Sequence, residues 1–371
     1  MKKRFTLSAL AALALGSFGA QAQFTVDGTL SPAEVGTGLG KYQLLGTYTN
    51  THSVTDRGLK ALYMGTTSTT VNFMVVASPE EASYSALLLY VDMPNKTGIA
   101  AGTQLPGGDD TSSQLRSKPT LDMPVDYAFR LTASPLNGTD ANSYHSKLDY
   151  TVAPNAAGRN KDIYLGSTNK TGTAFTVNDP TSGVVGAQVS FKGSATGSVA
   201  ANTTTGWEFE YPLSVLGGAA TNDIIRVMAA YVNDNGDFTT DVLPQITGRT
   251  TALGADPNFT TIPGNQFYSY RVGSGLLASR ATVAETLGAA AYPNPVTSES
   301  QLTYTVANGA QAVSVEVYNA LGQRVLNLLN TDQKAGTYQV ALAPVNKLAA
   351  GNYLVKLQVG TQLTSRHVVV E

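Results

Sequence analysis

Residues 207–218 read Trp-Glu-Phe-Glu-Tyr-Pro-Leu-Ser-Val-Leu-Gly-Gly. Trp207, Phe209 and Tyr211 alternate with Glu208 and Glu210, the period of a strand whose successive side chains point to opposite faces. The spacing predicts a half-buried strand, with the aromatic rings inward and both glutamates in water. Pro212 removes a backbone donor and two glycines close the segment, so a single helical turn follows rather than a helix. Working outward, residues 224–233 form the longest apolar run, and 184–191 place Val185, Ala187, Val189 and Phe191 on one face. Residues 59–65 and 70–77, joined by 66–68, read as a hairpin. Val71, Phe73 and Val75 lie on one side of its second strand and Asn72, Met74 and Val76 on the other. Both sides are largely apolar, which places that strand centrally.

Further strands are expected at 86–92, 126–132 and 267–272, weaker ones at 149–152 and 162–165, and a short first one at 24–28 ending in an Asp-Gly turn. Residues 79–84 read as one helical turn. Residues 93–124 lose all periodicity and read as a long surface excursion or a partly mobile loop, of the kind where ligands bind. About ten strands without a helix of useful length predict an all-β protein: a β-sandwich passenger over 23–272 with one core. Residues 273–291, rich in Gly, Ala and Ser, read as a linker.

Lys2, Lys3 and Arg4 precede an apolar run at 7–15, and Ala20-Gln21-Ala22 offers a cleavage site before Gln23, so 1–22 read as a secretory signal peptide cut between Ala22 and Gln23. The run is shorter than the roughly twenty residues that a membrane span needs. The mature chain is thus expected to carry no transmembrane segment. Its removal lowers 24 basic residues to 21 against 26 acidic, and the net charge moves from −2 to −5. That balance argues against nucleic acid as a partner. Charged residues make up 13% of the chain and there is no cysteine, so an exported protein of this kind depends on burial alone.

The last eighty residues open on Tyr292-Pro293-Asn294-Pro295, where two prolines enforce an extended entry. Five short β-prone runs follow, at 301–306, 312–318, 338–342, 353–359 and 363–370, with Val313, Val315 and Val317 sharing a face. The order YPNP, VSVEVYNALGQRVLNLLN, LAAGNYLVKLQVG and SRHVVVE resembles the C-terminal sorting domain of the type IX secretion system, over 292–371. The usual Asp-x-x-Gly-Arg-x-Val hairpin stands here as Asn319, Gly322, Gln323 and Val325, with the arginine at Arg324, while Leu348, Gly351 and Tyr353 keep the Leu-x-x-Gly-x-Tyr element. The resemblance implies a small Ig-like β-sandwich, engagement with the type IX secretion machinery, passage through the periplasm, and secretion or display at the outer surface of a Gram-negative bacterium. A second resemblance joins FTVDGTLSPAEVG, LKALYMGTTSTTVNFMVVAS, YVDMPNKTG, GWEFEYPLSVLGG and IIRVMAAYVND to the family nine carbohydrate-binding module, over about 24–272. It implies the sandwich and a polysaccharide ligand; the tryptophan those modules place after the opening Asp-Gly is Val35 here.

Sugar sites stack an aromatic ring on the CH-rich face of a pyranose. Trp207, the only tryptophan, is one candidate, although its alternation also fits the core; Tyr144 and Tyr164, in segments without clear pattern, are others. Calcium takes several oxygens, and Asp92 with Asn95, Asp109 with Asp110, and Asp234 with Asp237 could supply them. The last group also reads as a solvated Asp-Asn-Gly-Asp turn. His52 and His145 have acids and serines nearby, and Glu208 with Glu210 could form a glycosidase pair, but no nucleophile elbow or zinc motif accompanies them. The sequence therefore predicts an exported, non-catalytic protein that binds a carbohydrate or acts as an adhesive accessory. A structural surface protein, or a glycoside hydrolase, is the alternative.

Overall fold

A strand that is apolar on both faces has to be covered on both, and residues 71–77 set that condition: each is at most 1% exposed. The computed structural model describes residues 24–136, 142–277, 287–306, 309–319, 321–360 and 362–371. The expected signal peptide 1–22 with its Ala22–Gln23 junction, and 278–286 of the expected linker, lie outside the described residues.

In chain order the first part contains β1 (Gln43–Thr47), β2 (Gly58–Thr66), β3 (Thr70–Ser78), β4 (Ala86–Asp92), β5 (Tyr127–Ala133), β6 (Ser143–Asp149), β7 (Ile163–Thr168), β8 (Phe175–Thr176), β9 (Gln188–Phe191), β10 (Gly206–Pro212), β11 (Ile224–Val232), β12 (Phe238–Leu243), β13 (Tyr268–Arg271) and β14 (Gly275–Leu277). They form two antiparallel sheets, β1-β2-β3-β10-β9-β8 and β14-β13-β11-β4-β5-β6-β7. β12 shares one side of β11 with β13. The inner faces meet through Val71, Phe73, Trp207, Phe209 and Tyr211 of one sheet and Leu87, Leu89, Phe129, Leu131 and Val227 of the other. The sandwich is as expected, with β3 between β2 and β10.

The expectation of a single core is corrected, because each outer face carries a core of its own. Ala86, Leu88, Tyr90, Ala128, Leu148 and Met228 on the outside of the second sheet pack against Leu105, Leu115, Leu121 and Met123 of the 93–124 excursion. That excursion is therefore a fitted roof rather than a mobile loop; its four apolar side chains are spaced too irregularly to register as an element. On the first sheet, Ala61, Met74 and Val76 are covered by Phe24, Leu30 and Tyr42.

The same cover overturns the solvent-facing reading of Glu208 and Glu210, which are 0% and 7% exposed. The Glu208 carboxylate accepts hydrogen bonds from the backbone of Asp27 and Gly28, both at 2.8 Å, and from the Tyr42 hydroxyl at 2.9 Å. Residues 24–28 are thus held from below by a side chain instead of forming a strand, and Gly28 turns with φ +68° where a Cβ would lie 2.7 Å from the Lys192 nitrogen. Glu210 accepts from Asn72 at 2.8 Å. Val185 does not join the face of Ala187 and Val189: Gly186, at φ +86°, breaks the alternation, so Val184 is buried and Val185 exposed.

The last part contains β15 (Ala290–Tyr292), β16 (Gln301–Val306), β17 (Gln311–Tyr318), β18 (Arg324–Gln333), β19 (Gly336–Ala341), β20 (Gly351–Val359) and β21 (Gln362–Val370). These form sheets β15-β16-β19 and β18-β17-β20-β21. Leu302, Tyr304 and Val306 pack with Val313, Val315, Val317, Val355 and Leu357 in a separate core. Sheet structure reaches both ends of the expected linker, since β14 pairs with β13 and β15 with β16.

Burial pushes the Glu208 carboxyl up to about 7 despite its three donors. A carboxyl with a raised folded pKa binds its proton more tightly in the native state, so its contribution is complete below pH 4.5 and lost as pH rises through 7. The expected loss is about 3 kcal/mol over that interval. Urea denaturation at several pH values should show this slope in the native sequence and a flatter one in Glu208→Gln.

Candidate functional site

The outer face of the second sheet is built by alternation. β5 turns Tyr127, Phe129 and Leu131 into the inter-sheet core, which leaves Arg130 and Thr132 outside. Across the ladder Arg130 pairs with Ser146 and Thr132 with Tyr144, and Ser146 in turn pairs with Tyr164 of β7. Where the roof ends, Arg130, Thr132, Tyr144 and Tyr164 line an open groove of about 430 Å³ together with Tyr84, Asp110, Ser112, Gln114 and Asp234. Tyr164 is 55% exposed and Tyr84 42%.

Gln114 fixes the floor. It sits in the 3-10 turn Gln114–Arg116, where the Ser113 hydroxyl accepts from the Leu115 nitrogen. Its Oε1 accepts from Arg130 Nη1 at 2.9 Å and from the Thr132 hydroxyl at 2.7 Å, while its Nε2 donates to the Tyr84 carbonyl at 2.9 Å. One carboxamide thereby joins the roof, the sheet and the Tyr84 turn. Arg116 then clamps the β11–β12 turn to the roof, donating to the Asn235 carbonyl at 2.8 Å and to its Oδ1 at 2.6 Å. Gly236 in that turn has φ +82°, and a Cβ there would lie 2.6 Å from the Gln114 carbonyl oxygen. Asp110 accepts from the Ser112 nitrogen at 2.8 Å and, like Asp234, stands exposed at the rim.

Of the residues singled out from sequence, Tyr144, Tyr164 and Asp234 come together here. Tyr144 and Tyr164 lie on β6 and β7 instead of irregular segments. Trp207 does not join them: it is 1% exposed, its ring centroid 4.4 Å from that of Phe209, so its faces are taken by the core and a sugar cannot stack on it. Asp92 pairs with Arg226 at 2.6 Å. The Asp237 carboxylate accepts from Asn233, whose own side chain accepts from the Asn235 and Asp237 nitrogens, a turn closed on itself. Among the described residues no three His, Cys, Asp or Glu side chains gather as a metal site. Arg130, Gln114 and Tyr84 escaped the sequence reading; a lone arginine within the apolar run 127–133 is the signal that could have marked the floor.

The histidines are placed differently. His145 is buried against Phe175 and Trp207, 3.2 Å from the Ser143 hydroxyl, and burial pushes it down to about 3. His52 Nδ1 lies 2.6 Å from Asp241 Oδ2, tying 49–58 to β12. The neighbouring Ser53 hydroxyl accepts from the Thr240 nitrogen and makes no triad with the pair.

In the tail, Asn294 explains the Tyr-Pro-Asn-Pro entry. Its Oδ1 accepts from the Val369 nitrogen at 2.8 Å, its Nδ2 donates to the His367 carbonyl at 3.2 Å, and the Val296 nitrogen donates to the Val369 carbonyl at 2.7 Å. The segment thus covers the free edge of β21, which would otherwise expose unpaired backbone groups. Tyr292, followed by Pro293, stays exposed. Asn319 does the work of the usual aspartate, its Oδ1 accepting from the Leu321 and Gln323 nitrogens at 3.0 Å around Gly322, where φ is +76°. Arg324 reaches Glu316 at 2.5 Å. Tyr353, two residues after Gly351, donates to the Ala349 carbonyl at 2.8 Å.

Residues 290–371 match the family model of the secretion system C-terminal sorting domain. The tail is therefore a type IX sorting domain, and the chain a type IX secreted protein. The match does not reach 24–272, where the family nine resemblance rests on its sequence runs alone. No curated protein sequence matches the chain. Among solved structures, dimeric latent PorU from Porphyromonas gingivalis aligns at 12% identity over 81% of this chain and 31% of that one, with a TM-score of 0.18. The BSP domain of a biofilm associated protein aligns at 9% identity over 86% and 52%, also at 0.18. At those scores neither bears on the fold. No helix among the described residues is long and apolar enough to cross a membrane.

Two substitutions test the geometry. Gln114→Ala leaves Arg130 and Thr132 short of an acceptor and should cost about 3 kcal/mol in urea denaturation. Asn294→Ala should speed amide hydrogen exchange at Val369 by about tenfold while β16 and β17 stay protected.

Proposed function

We propose that this exported protein is a non-catalytic carbohydrate-binding accessory whose passenger holds a saccharide in the groove lined by Tyr84, Tyr144 and Tyr164. The observation that carries the reading is the lining itself: three tyrosines surround a floor of fixed hydrogen-bonding groups in a concavity of about 430 Å³. Rings of this kind cover the apolar face of a pyranose. Hydroxyl, carboxylate, amide and guanidinium groups around them match the mixed donors and acceptors of sugar hydroxyls. Preorganisation by Gln114 and Arg116 lowers the ordering cost of binding.

A hydrolase working through the glutamates and histidine read from the sequence would need them in the groove, whose own carboxylates, Asp110 and Asp234, stand at its exposed rim. Glu208 and Glu210 lie instead on β10 in the other sheet, beneath protein cover, and His145 is enclosed between the sheets. These placements favour binding over turnover. The sorting domain supplies the route, with the passenger delivered to the outer surface or released from it.

Two experiments check the reading. The passenger 23–272 should be retained on at least one polysaccharide of a broad panel, and Tyr164→Ala should weaken retention about tenfold, since a stacked ring contributes on the order of 1 kcal/mol or more. Retention on nothing would leave a structural surface role. Cells expressing a chain without 292–371 should hold the passenger in the periplasm, and normal surface delivery of that truncation would contradict the route.

A further inference from the structure

The floor of the groove carries a charge that its protein neighbours leave without a close partner. Arg130 is 8% exposed. Its Nε donates to the Ser146 hydroxyl and its Nη1 to Gln114 Oε1, both neutral acceptors at 2.9 Å, and Nη2 makes no hydrogen bond among the described residues. None of the ion pairs formed among those residues includes it. Asp162 and Asp110 attract it only from greater distance. Asp162 is half-buried and forms no ion pair with Arg130, and burial raises its pKa. Asp110 and Asp234 stand at the exposed rim, where water and salt screen them. A buried guanidinium held by neutral groups and open to a groove is completed by an anion that enters and pairs with it.

We infer that the groove is built for an acidic saccharide, a uronic acid residue whose carboxylate receives Arg130 Nη2 on the floor while its ring lies against the tyrosines. The inference rests on the glycan-binding reading and narrows it to one class of sugar. A planar carboxylate matches the planar guanidinium better than a point charge would, and it brings a single negative charge to the floor. The rim carboxylates act in the opposite sense. They accept hydrogens from sugar hydroxyls, and they repel densely charged chains such as sulfated or phosphorylated polymers.

The test compares oligouronates with their methyl esters, which keep each sugar ring, remove the charge and add one small methyl group. Titration calorimetry on the exported chain would use galacturonate and glucuronate oligomers in both forms, a sulfated oligosaccharide, a neutral gluco-oligosaccharide and an Asp/Glu-rich peptide. The expected result is at least one free acid bound tenfold or more tighter than its ester, with the advantage shrinking as salt is raised. Arg130→Gln should erase that difference and Arg130→Lys should restore part of it, with melting curves confirming that each variant is folded. The acid-to-ester comparison needs only the unaltered chain, so a variant that fails to fold leaves the test intact. Equal binding of acid and ester would overturn the inference while the glycan reading stood. Tightest binding to the sulfated sugar or to the acidic peptide would overturn it too. Binding of no saccharide, together with no effect of Tyr164→Ala, would overturn the glycan reading beneath it.

Discussion

The central strands of both passenger sheets are buried on both faces, and that constraint governs the rest. A sandwich ordinarily hides one face of each sheet and wets the other. Here the outer faces carry Met74 and Val76 on one side and Leu88, Tyr90 and Met228 on the other, so each needs a cover. The chain meets the need with segments that have almost no regular structure: 24–42 over the first sheet and 93–124 over the second. Irregular cover brings unpaired backbone and side-chain polar groups into the interior, and these require buried partners. Glu208 answers for the first roof, receiving the Asp27 and Gly28 nitrogens, and Gln114 joins the second roof to Arg130 and Thr132. The groove is what remains where the second roof stops short of β7.

This explains how far the sequence could be read. Residues 70–77, 86–92 and 224–233 announced strands because continuous apolar character survives whatever lies above them. In the tail the five expected runs became strands, with Val313, Val315 and Val317 facing the core as alternation requires, but β15 and β18 were not among them. Alternation failed where the cover was supplied from far along the chain. Nothing near Glu208 in sequence indicates that Asp27 and Tyr42 arrive on top of it. β6 was missed because Ser143, His145 and Lys147 are polar residues turned to buried positions, the reverse of the pattern that marks a strand.

The site was legible in pieces. Tyr144 and Tyr164 could be picked out as rings without a core assignment, and Asp234 as an acidic turn residue, but their convergence depends on the β5–β6–β7 ladder and on the turn that Arg116 holds. Arg130 is the cation in the groove's lining, and within the strand expected at 126–132 it was passed over. In the tail the correspondence is closer. Gly322 and Tyr353 lie in turns closed within a few residues, so spacing conveyed most of their geometry, whereas Asn294 was legible as a motif residue but not in its bonds to Val369 and His367 across the domain. The passenger's groove, by contrast, is assembled from six separate stretches of chain.

The account depends most on residues 93–124 being a packed roof, because the floor, the Tyr84 turn and the β11–β12 turn are all fixed through Gln114 and Arg116. Amide hydrogen exchange of the unliganded protein, resolved to peptides within 105–123, measures this directly. Protection of Leu105, Leu115 and Leu121 within about tenfold of that in β4 and β5 is the expected result. Exchange across 105–123 at the rate of an unstructured chain would mean that the roof and the groove it frames do not exist in solution.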